Sequence, residues 1–428
     1  MTTDDPNIFC LCKTLDRERF RQTLSDPSVD DLVREFFSSP QESVIADAPI
    51  FLESGQLDKM AAVAAAATAV SKNEQYIGTV LADAPEIARY HPGARGVLMG
   101  FDFHLAPDGP KLIEINTNAG GALVNSILAA AQRACCGRAA ASHGDDVHAS
   151  EPMTAILESF FADWRALRGA EPLRTIAIID EDPQSQYFYP ELLLFRRLFE
   201  RNDVAASIAA PGELCFENGV LSLSGRRIDL VYNRLTDFYL ASPACAALKS
   251  AYLAGAVVLT PHPRAHALLA DKRNLAVLGD KERLLQFGVS PTHAEALAAS
   301  IPRTVAMKNE DHGELWRRRK QYFFKPATGY GSKAAYRGDK LTIRVWDEIC
   351  MGDYVAQEII PPSKRNIMVD GEVRSMKADI RNYAYDGRIL LTAARLYQGQ
   401  TTNMRTKGGG FSPAFEISED APCQCERN

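Results

Sequence analysis

Two apolar runs in the first third of the chain alternate with a period of two. "GVLMGFDFHLA" (96–106) and "KLIEIN" (111–116) are separated by "PDGP", whose Asp108-Gly109 pair is a strong turn signal. The pattern predicts a β-hairpin. Alternate side chains of a strand share a face, so Glu114 and Asn116 point the same way, and the facing strand carries Asp102. The 100 residues at the start read as mostly helical, with "MAAVAAAATAV" (60–70) a buried helix too short to span a bilayer. Residues 127–168 read as helical around a polar loop near "ASHGDD".

A different pattern opens at "RTIAIIDE" (174–181), a buried-strand run ending in acids. The helical "YPELLLFRRLFERND", then "VAASIAAP" and "RIDLVYNR" (227–234), complete the alternation of a small parallel α/β unit. Ligands collect at the carboxyl ends of such strands, here Asp180–Gln186 and Asn233–Arg234. From about residue 257 follow the strand "AVVLTP", a helical "AHALLADKRNLAVLGD" carrying Lys272, and "KERLLQFG". Then come the strand–turn–strand "QYFFKPATGYGSKAAY", the strand "YVAQEIIPP" and an antiparallel meander, "VRSMKADIRNYAYDGRILLTAARL". The expected units are 1–170, holding the hairpin (about 97–121), then 171–256, then 257–428.

Composition narrows the function classes. The chain has 428 residues, 46% hydrophobic and 24% charged, as expected of a globular protein of two or three domains. Its net charge of −6 supplies no global positive field for nucleic acid. The basic "LWRRRKQ" reads as a solvated helix face. Nine cysteines are an odd number for a disulfide framework, and the pairs Cys10/Cys12, Cys135/Cys136 and Cys423/Cys425 lack partners at zinc-like spacing. The acidic "MTTDDPNIFC" has no basic n-region, so a soluble cytoplasmic protein with no membrane partner is expected.

Three stretches carry chemistry. Glu114 and Asn116 offer two hard oxygen ligands side by side, a donor set suited to Mg²⁺. "FFKPATGYGSK" ends an apolar strand on Lys325 and continues into Gly329, Gly331 and Ser332. An ammonium beside a glycine loop suits phosphate, because backbone N–H groups can approach its oxygens. "YVAQEIIPP" presents Gln357, Glu358 and the Ile359–Ile360 pair before two prolines, where backbone groups can meet an adenine edge and the carboxylate a ribose.

The order of these elements resembles the ATP-grasp superfamily over residues 257–412: Asp-Lys at 271–272, Lys-Pro and a glycine loop fifty residues on, Gln-Glu-x-Ile, then "DIR…AAR". The hairpin with Asp102 and "EIN" looks like that superfamily's metal hairpin, moved ahead of the other elements as in a circular permutation. This permuted order is similar to eukaryotic-type glutathione synthetases, whose Arg-Thr-Lys and glycine-rich lid "MRTKGGG" (404–410) resembles. The chain departs from that family in two places: "EINTNAGG" lacks the longer serine-bearing loop, and "KPATGYGSK" lacks a glutamate. The meander instead looks like bacterial ribosomal-protein-modifying ligases.

The resemblance implies an α+β and α/β chain with an ATP-grasp fold in circularly permuted order and an inserted small parallel α/β substrate domain. It implies an ATP-dependent carboxylate–amine ligase acting through an acyl phosphate on small amino acids or peptides. A small-molecule kinase and a non-catalytic nucleotide-binding protein are the alternatives. ATP and Mg²⁺ are the implied cofactors. Asp102, Glu114 and Asn116 would hold the metal. Lys272, Lys325, Gly329, Gly331, Ser332, Gln357, Glu358 and Ile360 would hold the nucleotide. Arg395, Arg405 and Lys407 would be catalytic, and Asn118, Gln186, Arg234, Asp379 and Arg381 would contact the carboxylate and amine substrates. The resemblance leaves a homodimer open.

Overall fold

The computed structural model describes residues 5–11, 15, 18, 20, 33–34, 37, 44–46, 48–131, 150–329, 334–403 and 406–417. Its largest sheet is assembled from three distant parts of the chain. The strands run in the order Ile50–Glu53, Gly410–Ile417, Arg388–Tyr397, Glu372–Tyr385, Met99–Ala106 and Gly109–Asn116, with Ser363–Val369 also pairing with Glu372–Tyr385. The hairpin read from the sequence is present. Its first strand lies antiparallel on Glu372–Tyr385, with Arg381 opposite Asp102 and Asp102 opposite Glu114. Ile50–Glu53, a strand the sequence reading placed in a helical region, pairs in parallel with Gly410–Ile417. Four residues are too few to show a period above a helical background.

The alanine-rich helix Ser54–Val70 packs on this sheet. Met60, Val63, Ala64, Ala67 and Val70 are buried with Phe101, Phe103, Leu112, Ile115, Ile380 and Ala394 in one core. Small side chains let the helix approach closely. The α-carbon of Ala65 lies 3.1 Å from where a Cβ on Gly387 would sit.

A four-stranded parallel sheet has the order Val258–Thr260, Leu230–Asn233, Thr175–Ile179, Ala205–Ala209. Ile176, Ala177, Ile178 and Ile179 are all buried, the continuous apolar reading of a strand covered on both faces. Phe160, Phe195, Phe199 and Tyr232 lock helices Ser150–Arg168 and Tyr189–Glu200 onto it, with ring centroids 4.9–6.1 Å apart. A three-stranded meander, Leu214–Glu217, Val220–Leu223 and Arg226–Arg227, was not anticipated. The remaining sheet is antiparallel, in the order Thr304–Ala306, Tyr354–Glu358, Tyr322–Pro326, Tyr336–Arg337.

The sequence reading put Lys272 on a helix. Here it lies in a turn between a π-helical segment, His266–Ala270, and the short helix Asn274–Leu278. The turn frees its backbone N–H to donate to Ala327 O at 2.9 Å, tying it to the glycine loop.

Gly121 joins the hairpin to helix Ala122–Ala130 with φ at 93°, and a Cβ there would lie 2.2 Å from the Phe411 ring. Gly121→Ala is therefore expected to lower stability by at least about 1–3 kcal/mol, the cost of a left-handed non-glycine residue alone. A thermal transition unchanged from the parent would contradict this packing.

Candidate functional site

A cavity of about 380 Å³ lies between the largest sheet and the antiparallel sheet that carries Lys325. Thirteen of the residues singled out from the sequence line it: Asp102, Glu114, Asn116, Asn118, Lys272, Lys325, Gly329, Gln357, Glu358, Ile360, Asp379, Arg381 and Arg395. They come from segments up to about 290 residues apart in the chain, so their convergence is a property of the fold.

Asp102 is the anchor of one wall. Arg381 Nε and Nη2 donate to its two oxygens at 2.6 Å each, and Arg395 Nη2 donates to Oδ2 at 2.8 Å. Arg395 also donates to Asp379 from Nε (3.1 Å) and Nη2 (2.9 Å), while Thr402 Oγ1 donates to Asp379 Oδ2 at 2.7 Å. Burial alone would raise the Asp102 pKa, but the two guanidiniums outweigh it and hold the carboxyl far below its usual range.

Glu114 is more open. Asn116 Nδ2 donates to Glu114 Oε1 and to Asp102 Oδ2, both at 3.2 Å, and Lys272 Nζ stands 4.0 Å from Glu114 Oε2. Lys272 Nζ donates to Gly329 O at 2.7 Å. Lys325 Nζ donates to Gln357 Oε1 at 2.7 Å and to Ile113 O at 3.3 Å. Gln357 is oriented in turn by donating from Nε2 to Thr304 Oγ1 at 3.2 Å. Burial pushes the Lys325 ammonium down to about 8, helped by Lys272 and opposed by Glu114 and Asp102.

The donor set bears on the metal. Glu114 and Asn116 supply hard oxygens at the cavity wall, which fits a Mg²⁺ that takes most of its remaining ligands from phosphate and water. Asp102 Oδ2 already accepts three hydrogen bonds, so Asp102 fits the role of holding Arg381 and Arg395 better than that of a third ligand. Among the described residues no group of three His, Cys, Asp or Glu could hold a metal ion.

Other singled-out residues lie elsewhere. Lys407 is exposed and pairs with Asp370 at 2.6 Å, so it does not reach the cavity. Gln186 donates to Asp180 Oδ1 at 2.8 Å, outside the lining. Arg234 Nη1 faces Tyr232 Oη (3.4 Å) and Ala119 O (3.5 Å) behind the wall. Gly331, Ser332 and Arg405 lie outside the described residues.

Several lining residues were missed. His104 Nδ1 donates to Ile360 O at 2.6 Å, fixing the strand end after Glu358. His266 stacks on Phe238 (centroids 3.9 Å apart, 10° between planes), and its Nδ1 lies 3.0 Å from Thr117 Oγ1. Burial, then Lys272, push the His266 imidazole down to about 3, so it is neutral at pH 7. Its one available signal was position, five residues ahead of the Asp-Lys pair. Glu191 was missed too: it accepts from Gly121 N (2.7 Å) and Leu123 N (3.2 Å), capping the helix after the hairpin.

Among the described residues no helix is long and apolar enough to cross a membrane. No family model and no curated protein sequence matches the chain. Solved structures do. A glutathione synthetase-like effector from Globodera pallida, in apo form, superposes with a TM-score of 0.54 at 13% identity, over 93% of this chain and 98% of that one. Weaker likenesses, from which nothing is drawn, include a protein assigned as a gamma-glutamylcysteine synthetase from Methylobacillus flagellatus (TM-score 0.46, 10% identity, 85% and 87% covered). Another is the ATP-grasp ligase PsnB with a precursor variant, Mg and ADP (TM-score 0.31, 13% identity, 59% and 91% covered). The chain is thus a mixed α/β protein whose fold resembles that of a glutathione synthetase-like effector.

Proposed function

We propose that this chain is an ATP-dependent carboxylate–amine ligase that forms an amide bond through an acyl phosphate. The observation that carries the reading is one cavity in which Lys325 and Lys272 stand beside Glu114 and Asn116, with Gly329 within 2.7 Å of Lys272 Nζ. The proposed architecture is an ATP-grasp core in permuted order, with the hairpin at about 97–121, a substrate unit at 171–256 and the rest of the core at 257–428. It is supported by the pairing of that hairpin with Glu372–Tyr385. The parallel sheet takes its fourth strand, Val258–Thr260, from beyond residue 256.

In the proposed reaction a carboxylate oxygen of the acid attacks the γ-phosphorus of ATP. The bond to the β,γ-bridging oxygen breaks and ADP leaves. The amine nitrogen then attacks the acyl carbon, the acyl C–O bond breaks, phosphate departs carrying the former carboxylate oxygen, and the amine nitrogen gives up a proton. The first step needs positioning and charge neutralisation more than proton transfer. Lys325 and Lys272 supply positive charge to the phosphates, with Lys325 aimed by Gln357. Arg381 and Arg395, clamped by Asp102 and Asp379, are held as fixed hydrogen-bond donors on the wall that would meet the transferred group. Glu114 and Asn116 would hold Mg²⁺, which when bound neutralises phosphate charge. Glu358, on the cavity wall, would meet the nucleoside.

Hydroxylamine tests the reading. With ATP and the right acid, a trapped hydroxamate forms in step with ADP. ADP release without hydroxamate would favour phosphorylation of a hydroxyl instead.

The Lys325 ammonium gives a pH dependence whose sign is fixed. In the free protein it loses its proton through about pH 8, and bound phosphate, an anion, raises that value. Binding therefore takes up a proton above about pH 8. ATP affinity is expected to be flat below that pH and to fall above it, approaching tenfold per pH unit. Calorimetric titrations across about pH 6.5–9.5 measure it, and an affinity rising with pH would contradict the assignment.

A further inference from the structure

Part of the cavity wall carries no formal charge. Thr117, Asn118, Phe238 and His266 lie together there, on the side of the hairpin's last strand that leads into Ala119. Two polar atoms of this wall are buried and have no hydrogen-bond partner, Asn118 Oδ1 and His266 Nε2. Folded proteins rarely leave such atoms orphaned, and where they line a cavity a ligand supplies the missing partner.

The surroundings fix what each atom offers. Asn118 Nδ2 donates to Arg234 O at 2.6 Å and to Leu235 O at 3.1 Å, so Oδ1 is left as an acceptor. The His266 ring is held in plane by Phe238, and the Thr117 hydroxyl, 3.0 Å from Nδ1, can donate to it. In the tautomer in which Thr117 donates to Nδ1, the neutral ring carries its single hydrogen on Nε2, a donor. An acceptor and, in that tautomer, a donor on one cavity wall are the complement of an amide group.

Resting on the ligase reading above, we propose that Asn118 Oδ1 and His266 Nε2 receive an uncharged amide of the acid substrate, a side-chain carboxamide or a peptide bond. His266 donates to its C=O and Asn118 accepts from its N–H. A second carboxylate is disfavoured here, because Asn118 Oδ1 is an acceptor and would meet its oxygen with no proton between them. His266 is on this account a specificity residue, since a buried polar pair left unmatched discriminates strongly against the wrong ligand.

Matched probes test this: asparagine against aspartate and glutamine against glutamate. Binding is measured calorimetrically with a non-hydrolysable ATP analogue and Mg²⁺, alongside ADP release with ATP. In at least one pair the amide member is expected to bind about tenfold or more tightly. His266→Phe keeps the stacked ring without the donor. It should erase the preference by raising the KM of the acid, leaving kcat and the KM of ATP unchanged. His266→Gln, which keeps an N–H, should retain most of the preference. Unchanged affinity for the ATP analogue shows that each variant is folded. Preference for the acidic members, an unaltered preference in His266→Phe, or no binding by either member of either pair would overturn the inference. Amide-selective binding without ADP release would instead leave the site standing and remove the ligase reading.

Discussion

Lys325→Met should fold as well as the parent and bind ATP between about tenfold and a hundredfold more weakly. The loss corresponds to one charge-assisted hydrogen bond of roughly 1.5–3 kcal/mol. Stability should hold or rise, because the substitution removes a cation whose charged form burial penalises. The ordinary lysine pKa stands near 10.5, and in the fold it is pushed to about 8. Met has nearly the same length, and Gln357 keeps its partner Thr304. Fluorescence or calorimetric titration with ATP, beside a urea unfolding curve, reads both quantities. Full ATP affinity in the folded variant would remove Lys325 from the nucleotide site.

Asp102 and Glu114 face each other across the hairpin, yet their variants should fail in opposite ways. Asp102→Asn leaves Arg381 and Arg395 buried without their shared counter-charge, and is expected to cost about 3–5 kcal/mol of stability. The sign with pH follows from the depressed carboxyl. Its contribution is complete at neutral pH and is lost only as the pH falls below the ordinary carboxylate range. Glu114→Gln breaks no buried ion pair of that kind. Its stability should stay within about 0.5 kcal/mol of the parent, while the Mg²⁺ dependence of ATP binding disappears. Urea midpoints and ATP titrations with and without Mg²⁺ separate the two. If Asp102→Asn were as stable as the parent and lost Mg²⁺ dependence as Glu114→Gln does, Asp102 would return to the metal set.

What was legible in the sequence was mostly local. The hairpin could be read because period-two alternation and an Asp-Gly turn sit within about 20 residues, and Lys325 because an apolar strand runs straight into glycines. Lys272 was read on the wrong element, since a π-helical turn followed by a short helix has the same apolar spacing as one longer helix. Register across distance was not legible. Nothing near Asp102 in the chain shows that Arg381 will stand opposite it, and that pairing makes Asp102 the counter-charge of an arginine clamp. Lys407 pairs away from the cavity for the complementary reason, because its partner Asp370 belongs to a turn whose position only the folded meander sets. His266 carries no motif at all. Its position opposite Thr117 and Phe238 comes from three segments meeting.

The largest sheet, built from strands near residues 50, 100 and 400, also sets a timetable for biosynthesis. Asp102 precedes Arg381 by 279 residues. At about 5–20 residues per second, it emerges roughly 15–55 s before its counter-charge. Throughout that interval the hairpin's apolar face, Phe101, Phe103, Leu112 and Ile115, has the Ser54–Val70 helix to cover it but no neighbouring strand to close its edge. The nascent chain is therefore exposed to edge-to-edge association for most of its translation, and holding chaperones should bind it ahead of the meander's release.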